Sequence, residues 1–463
     1  MIAGSFRDIR GKLPAIMVVG VTQPEMAGQR LQAVNNYVNR VAGFGFSGGL
    51  RPRASGAAVL FGALVTAVAL AGCGTAHPGG GTGGTGGTGG TGTTAAATTP
   101  GTPASASATS GNTGSPAVTP AGGPVPAGFA ATSVTFVSTQ EAFVLGTAPC
   151  SHAPCTSIVR TLDRGATWRG LPAPVVPLGQ PAQTPAPAVW GIRFATPAHG
   201  FVFGDGLWES TDGGEHWAQA AGPPGAIMSL EVIDGQVLAV TAACSAGSGC
   251  QSEGSLERRP LGGGAWQQVI AVKVTGAETG LIATQARVAA VLDGTSVIVT
   301  TDGGLSTASH PTPCTTLGVA YADAVAVTGP DSLALLCAGQ GAMGSVDKTV
   351  YVSGDLGQHW TQAGVAPRGG DPTGLAGATP EQLTIMAASG ASWLYYSGDG
   401  GAQWGTAYEV GDGGAGFNDL GFTTTSDGVV VRAPARTDGN GDGSPGQLLL
   451  TSNGGATWQR VSF

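Results

Sequence analysis

The segment Asp438-Gly-Asn440-Gly-Asp442-Gly443 places oxygen-bearing side chains at alternate positions near the end of this 463-residue chain. The order matches the first half of a calcium loop, in which hard oxygen ligands surround one cation. The twelfth position, which supplies a bidentate Glu in an EF-hand, is Leu449 here. A polar hairpin is therefore the favoured interpretation. The alternative is Ca²⁺ held by Asp438, Asn440 and Asp442, and we expect no other cofactor.

A second set of carboxylates belongs to an eight-residue motif that recurs through the C-terminal two-thirds of the chain. A typical copy reads Ser210-Thr-Asp212-Gly-Gly214-Glu-His-Trp217. Asp or Asn accepts backbone N–H bonds inside a tight turn, and Gly supplies a positive φ. We therefore predict that these acids are structural and that the Trp packs beneath the turn. The residues concerned are Asp163, Trp168, Asp212, Trp217, Asp302, Asp355, Trp360, Asp399, Trp404, Asn453 and Trp458.

The spacing of the motif predicts the fold. The copy at 300–304 lacks its Trp, the copy at 261–266 lacks its Asp, and the other five are complete. The copies end at positions 168, 217, 266, 307, 360, 404 and 458. Units of this length are typical of four-stranded propeller blades. We predict an all-β, seven-bladed β-propeller of antiparallel blades over 128–463, with six or eight blades as alternatives.

Motif and spacing resemble the Asp-box (BNR) repeats of sialidases, sortilin-type receptors and photosystem II stability/assembly factor-like proteins. The resemblance covers 131–463 and implies that each motif Asp lies in the turn between a blade's third and fourth strands. The blade pattern Gly200-Phe-Val-Phe-Gly204 followed by Ser210-Thr-Asp-Gly-Gly214 is most similar to the assembly-factor-like group. That likeness implies a non-catalytic scaffold for another extracytoplasmic protein. Function must still be argued from a site, because many functions share one fold.

A secretory signal is predicted before the repeats. Arg51 and Arg53 precede an apolar run over 57–72, which is too short for a typical membrane-spanning helix. The run ends in Leu-Ala-Gly-Cys73, which resembles a bacterial lipobox, and that resemblance implies lipidation of Cys73. A plain membrane anchor or a soluble export signal is the alternative. We expect a bacterial, extracytoplasmic, membrane-anchored protein.

Two further segments complete the predicted organisation. Residues 1–50 form an N-terminal extension with no recognisable motif, which we expect to be absent from the mature protein. Residues 74–127 contain Gly-Gly-Thr repeats followed by Ala, Thr, Ser and Pro, and are rich in residues that do not build a core. We predict that they form a disordered tether, because such a composition cannot bury enough apolar surface to fold.

Cysteine usage agrees with export. Beyond Cys73 there are six cysteines, which allow 15 pairings. Proximity in sequence favours three pairs, each within one repeat, and disulfides persist outside the cytoplasm. A Cys-ligated metal site is a weaker alternative, since no CxxC pair or His cluster accompanies them. The pairs are Cys150 with Cys155, Cys244 with Cys250, and Cys314 with Cys337. If the motifs mark one face of the ring, all three pairs lie on the opposite face.

Charge narrows the range of partners. The part after Cys73 carries 13 Lys/Arg against 26 Asp/Glu, a net charge of −13, which argues against nucleic-acid binding. An extracytoplasmic protein or a cell-wall glycan is the expected partner of a monomer. Trp190 precedes a strand on the face opposite the motifs and is a candidate for stacking on a sugar or anchoring a partner. We expect Trp208 and Trp393, which lie within strands, to be core residues.

The alternative function is an exo-glycosidase of sialidase type. Such enzymes use an arginine triad, a Tyr/Glu nucleophile pair and an Asp acid/base. Arg193, within Ile192-Arg193-Phe194, only superficially resembles their arginine motif, and Tyr408 and Glu409 should point to opposite faces of a strand. We therefore assign no catalytic residue. The favoured function is a lipid-anchored binding or assembly scaffold.

Overall fold

The computed structural model describes residues 122–152, 155–181, 187–245, 249–274, 282–285, 287–314, 321–435 and 443–463. The predicted extension, signal segment and tether up to residue 121 lie outside this part of the chain, and so does Cys73. The predicted calcium-loop residues Asp438, Asn440 and Asp442 lie outside it as well. Among the described residues, no helix has the length and hydrophobicity needed to span a membrane.

Seven antiparallel sheets follow one another along the chain, so the prediction of a seven-bladed β-propeller is confirmed. Blades 1 and 2 consist of β1 (Ala130–Phe136), β2 (Ala142–Thr147), β3 (Thr156–Thr161), β4 (Arg169–Leu171), β5 (Val189–Phe194), β6 (Gly200–Gly204), β7 (Leu207–Ser210) and β8 (Ala218–Ala220). Blades 3 and 4 consist of β9 (Ala226–Ile233), β10 (Gln236–Ser245), β11 (Gly249–Pro260), β12 (Gln267–Lys273), β13 (Ile282–Gln285), β14 (Val288–Asp293), β15 (Ser296–Thr300) and β16 (Ala308–Pro311).

The remaining three blades complete the ring. Blade 5 consists of β17 (Tyr321–Val327), β18 (Leu333–Ala342), β19 (Ser345–Ser353) and β20 (Thr361–Ala366). Blade 6 consists of β21 (Asp371–Gly377), β22 (Leu383–Ser397) and β23 (Gly405–Gly413), and blade 7 of β24 (Phe417–Phe422), β25 (Gly428–Arg432), β26 (Gln447–Thr451) and β27 (Gln459–Arg460). In blade 6 the first half of β22 pairs with β21 and the second half with β23, so this strand occupies the second and third positions.

The strand order within each blade follows from hydropathy. The second strand is covered on both faces by neighbouring blades, and β6, with the sequence Gly-Phe-Val-Phe-Gly, is buried along its whole length. The fourth strand is outermost and mostly exposed, as in β8, whose sequence is Ala-Gln-Ala. Aromatic side chains join adjacent blades, and the ring of Phe143 in blade 1 stacks on that of Phe194 in blade 2, with centroids 3.6 Å apart. The core is therefore a series of layers between blades.

Blade 7 closes the ring by packing against blade 1, and no described strand is exchanged between blades. Val431 and Leu448 of blade 7 form one buried cluster with Phe129 and Val144 of blade 1. The Ala131 backbone N–H donates to the Gly446 carbonyl at 3.2 Å across the same junction. Closure therefore rests on side-chain packing and on a few bonds between blades, rather than on a shared sheet.

Inner strands of successive blades are joined by side chains that accept backbone N–H groups. Ser133 Oγ accepts from the Ile192 N–H at 3.2 Å, and Ser229 Oγ accepts from the Ile282 N–H at 3.2 Å. At the closing junction a carboxylate takes this role, because Asp419 Oδ2 accepts from the Val134 N–H at 2.9 Å. Each bond satisfies a backbone N–H group on the innermost strand of a blade, at the edge where no other strand pairs with it.

Arg193 links four blades across the centre of the ring. Its Nε donates to Glu231 Oε1 of blade 3 at 2.7 Å, and its Nη2 donates to Asp419 Oδ1 of blade 7 at 2.9 Å. Its Nη1 donates to the carbonyl of Val134 in blade 1. Burial alone would lower the pKa of Arg193, but the charges of Asp419 and Glu231 raise it above its ordinary value. Burial raises the pKa of Glu231, and the Arg193 charge offsets this only in part.

Replacing Arg193 with Met is expected to lower the free energy of unfolding by about 3 kcal/mol. The loss comes from leaving Glu231 and Asp419 facing each other without their cation. About a fifth of each side chain stays accessible, which holds the effect at the lower end for a broken buried ion pair. Urea titration of the propeller measures the change. The matched control is Arg460→Met at an exposed position, and an equal loss in that control would contradict the assignment.

Candidate functional site

The two ends of the ring differ in construction. The motif face carries the turns between third and fourth strands together with the loops between first and second strands. These are bonded to each other, as where the Gly213 N–H donates to the Ala198 carbonyl at 2.8 Å and the Gly400 N–H donates to the Glu381 carbonyl at 2.8 Å. The loop face, at the opposite end, carries the hairpins between second and third strands and the connections between blades.

The motif acids are bonded within their own turns. Ser210 Oγ donates to Asp212 Oδ1 at 2.9 Å and accepts the Gly214 N–H at 2.9 Å. Asp212 Oδ1 also accepts the His216 N–H at 3.0 Å, and Oδ2 bonds the His216 ring at 2.7 Å. The same set of bonds from hydroxyl, carboxylate and backbone recurs in the turns that begin at Thr161, Thr300, Ser353 and Ser397. In the turn that begins at Thr451, the amide oxygen of Asn453 takes the place of the carboxylate.

These bonds hold the motif carboxylates in the charged form. The backbone bond from His216 lowers the pKa of Asp212 to about 2, and that from His359 lowers the pKa of Asp355 to about 2. For Asp302 the side-chain bond from Ser306 is the largest cause, and its pKa is again about 2. Acids with such low pKa values cannot serve as proton donors near neutral pH.

The degenerate copies keep part of this arrangement. The turn at Thr300 has all its bonds although Thr307 stands where other copies have Trp. In blade 3 the Leu261 N–H bonds the Gly235 carbonyl at 2.9 Å, so this turn is still tied to its neighbouring loop without a carboxylate. Trp266 donates its indole N–H to the Ala221 carbonyl of blade 2 at 2.9 Å, which matches the bond from Trp217 to the Pro172 carbonyl of blade 1.

The loop face is braced by three disulfides, which join the pairs that sequence proximity favours. Cys150–Cys155 and Cys244–Cys250 close the second-to-third-strand loops of blades 1 and 3. Cys314–Cys337 ties the connection before blade 5 to β18 of that blade, and both its residues are buried. The topology thus places all three at the face opposite the motifs.

Trp190 lies at the loop-face end of β5 but is engaged in the protein. Its ring packs beside the buried cluster between blades 2 and 3, and its indole N–H donates to the Ile227 carbonyl at 3.0 Å. Only part of the ring faces solvent. Trp208 and Trp393 are likewise half-buried against cores between blades, Trp393 with its ring parallel to that of Tyr395.

The residues that superficially resemble sialidase groups do not converge. Tyr408 turns toward blade 7, where its hydroxyl accepts the Arg460 Nε–H at 3.1 Å. Glu409 is the next residue on β23 and pairs with Trp393 across the sheet, and its charge contributes to raising the pKa of Tyr395 after burial, the larger cause. Arg193 is committed to the centre of the ring. Among the described residues, no group of three His, Cys, Asp or Glu side chains is placed to hold a metal ion.

Sequence reasoning missed a buried lysine at the loop face of blade 5. Lys348 Nζ donates to the carbonyls of Pro367, Arg368 and Gly369 at 2.9–3.0 Å, and more weakly to that of Val346 at 3.3 Å. Burial lowers the pKa of Lys348 to about 8, opposed chiefly by the charge of Asp371. We call this arrangement the lysine clasp. No local pattern could have indicated it, because the carbonyls come from the connection that follows the next strand.

Two shallow grooves have defined walls. One of about 540 Å³ lies between β4, the segment 122–126 and Glu215 and His216 of the blade 2 motif. The other, of about 230 Å³, lies between β15, β16 and the motif turn of blade 5. Neither groove is lined by Trp190, Tyr408 or Glu409, the sequence candidates for carbohydrate chemistry.

Comparison with known proteins finds only distant structural similarity. No protein-family profile and no curated protein matches the chain. Similar solved structures include YCF48 bound to a D1 peptide, at 16% identity over 73% of this chain and 95% of that one, with a TM-score of 0.45. YCF48 from Cyanidioschyzon merolae shares 17% identity over 71% of this chain and 97% of that one, with a TM-score of 0.45. A GH74 xyloglucanase from Xanthomonas campestris shares 12% identity over 72% of each chain, with a TM-score of 0.29.

The motif carboxylates are expected to make stability fall in acid. Their folded pKa values lie below the ordinary 3.8, so their contribution is complete above about pH 4 and is lost as the pH falls toward 2. Near pH 3, unfolding should take up roughly two protons through Asp212, Asp302 and Asp355. Changing all three to Asn should flatten the profile of unfolding free energy between pH 4 and pH 2.

The turn beginning at Thr451 shows that such variants can fold. It has Asn453 in the acid's place, and the amide Nδ2 donates to Thr457 Oγ1 at 2.9 Å. Little change is therefore expected at pH 7. Glu215→Gln alters an exposed carboxylate in the turn of Asp212 and serves as the control. Parallel pH profiles for the triple variant and the wild type would show that these acids do not set acid stability.

Proposed function

We propose that this propeller is a non-catalytic binding or assembly scaffold for an extracytoplasmic protein, with Asp-box turns as its structural repeat. The observation that carries the proposal is the contrast between the two faces. The motif face uses its carboxylates to bond its own turns, whereas the loop face carries the connections between blades and is braced by three disulfides. Rigid scaffolds with elaborated loops on one face are typical of binding proteins.

The charged groups that a sialidase-type glycosidase would need have other partners in this protein. Arg160 pairs with Glu141 within blade 1 at 2.6 Å, and Arg259 of blade 3 pairs with Glu209 of blade 2 at 2.8 Å. Arg193 is held by Glu231 and Asp419. A glycosidase would need such arginines, or a pair of carboxylates, to converge on an open cleft. Hydrolysis of a glycoside therefore remains the second candidate, with a cell-wall glycan as the corresponding ligand.

The predicted location completes the proposal. A lipid on Cys73 would hold the propeller at the outer surface of a bacterial membrane through the segment 74–127. Changing Cys73 to Ala should move most of the protein from the membrane fraction to the soluble fraction. Metabolic labelling with an alkyne fatty acid tests the modification directly, because the Cys73→Ala protein should lose the label. Equal labelling of both proteins would rule out Cys73 as the anchor.

The partner is tested by crosslinking in cells that carry an affinity tag after Phe463, followed by mass spectrometry. A stoichiometric membrane or secreted protein among the products supports the scaffold. Retention of glycan without protein would favour the carbohydrate-active alternative, and a panel of glycoside substrates would then be assayed with purified propeller.

A further inference from the structure

Exposed apolar side chains concentrate at the loop-face end of blade 5. Met343 is fully exposed, while Tyr321 and Val365 keep 54% and 57% of their surface in solvent. Tyr321 begins β17, Met343 lies in the turn between β18 and β19, and Val365 is next to last in β20. The other large exposed apolar residues of the described chain are scattered, at Leu162, Val175 and Leu305. We call Tyr321, Met343 and Val365 the blade 5 patch.

The register of blade 5 defines how the three residues of the patch are arranged. Tyr321 pairs with Ala338, Ala338 with Lys348, and Lys348 with Ala366, so one row of residues crosses the whole blade. Four strands at the usual spacing give this row a width of about 14 Å. Val365 belongs to the next row, since it pairs with Thr349, so its side chain points to the opposite face of the blade from that of Tyr321. The hairpin with Met343 at its tip extends beyond both rows from the two middle strands. The three residues thus surround the loop-face end of one blade, and Met343 projects furthest from it.

Met343 occupies a backbone conformation that does not suit it. Its φ is +51°, and Gly344 follows with a φ of +76°. Two-residue hairpin turns with two positive φ values strongly favour Asn, Asp or Gly at the first position. The sequence instead places a strained, solvent-exposed thioether there, with no packing in this chain to compensate. A residue held in such a state points to a role outside the fold.

The surroundings hold this tip rigid. The Gly370 N–H donates to the Gly344 carbonyl and the Val346 N–H donates to the Arg368 carbonyl, both at 2.9 Å. The lysine clasp fixes the same 367–369 connection from beneath. The buried Cys314–Cys337 disulfide anchors β18, from which the hairpin rises. A tip prepared in this way loses little conformational entropy when it is bound.

We propose that the blade 5 patch is the docking surface for a protein partner that receives Met343 in an apolar pocket bordered by Lys or Arg side chains. This inference rests on the proposed scaffold function and identifies its surface. The cationic border follows from charge, since the part of the chain after Cys73 carries a net charge of −13 and would repel an acidic partner. The apolar pocket follows from the exposed thioether, which adapts to irregular apolar surfaces.

The test places a photoreactive methionine analogue at position 343 in cells, with the same probe at position 175 or 305 as controls. Val175 is on the loop face and Leu305 is on the motif face. The first control therefore shows whether capture occurs anywhere on the loop face, and the second shows whether it occurs at the opposite end of the ring. A protein captured at 343 and not at the other positions is then purified. Its affinity is measured for the wild type, Met343→Asn, Met343→Leu and Val175→Ser.

Met343→Asn should bind about tenfold more weakly, as expected for loss of a central apolar anchor. Met343→Leu and Val175→Ser should bind like the wild type. Asn suits the positive φ, so Met343→Asn should unfold at the same temperature as the wild type or higher, which separates lost binding from lost folding.

Unchanged affinity of Met343→Asn for a captured partner would overturn the patch while leaving the scaffold function standing. Capture of a partner at 305 alone would place docking on the motif face, which would likewise overturn the patch and leave the scaffold function standing. Absence of any protein at all three positions, and from the tagged wild type, would overturn both proposals.

Discussion

A single guanidinium group in the centre of the ring meets the inner strands of four blades. Arg193 bonds partners in blades 1, 3 and 7 from its own place in blade 2. Each blade of this propeller is built from one continuous stretch of chain, so no described sheet spans the junction between blade 7 and blade 1. The Arg193 ion pairs and the packing of Phe129 against blade 7 must therefore hold the ring shut. The burial that supports each second strand depends on that closure, because every blade is covered by its neighbours.

The two faces of the propeller differ in what their hydrogen bonds and crosslinks stabilise. Motif turns on one face bond their hydroxyl, carboxylate and backbone groups to each other, so the acids have little capacity left for a ligand. The opposite face has the disulfides and the lysine clasp, which stabilise loops that a bare propeller would leave loose. Rigidity is thus concentrated where a protein partner would gain from it, since ordering a loop on binding costs affinity.

Much of the architecture could be predicted because its signals are local. The motif spans eight residues, so its turn chemistry and its spacing predicted both the blade count and the positions of the third strands. The disulfides also join residues within one repeat. The Arg193 cluster could not be predicted, because Arg193 and Asp419 are 226 residues apart and neither belongs to a motif. The lysine clasp could not be predicted either, because its acceptors are backbone carbonyls, which a pattern of side chains does not indicate. The positive φ of Met343 could not be predicted because Met rarely adopts that conformation.

Contiguous blades also impose an order in time. During synthesis, blades 2 and 3 emerge early, so Arg193 can meet Glu231 while most of the ring is still missing. Asp419 arrives only with the last blade, and until then blade 1 keeps an apolar flank uncovered. The nascent protein therefore passes through an open arc with two unsealed sides, and such long-range closure is slow and prone to association. A chaperone acting on this protein would be needed most in the interval before blade 7 is complete.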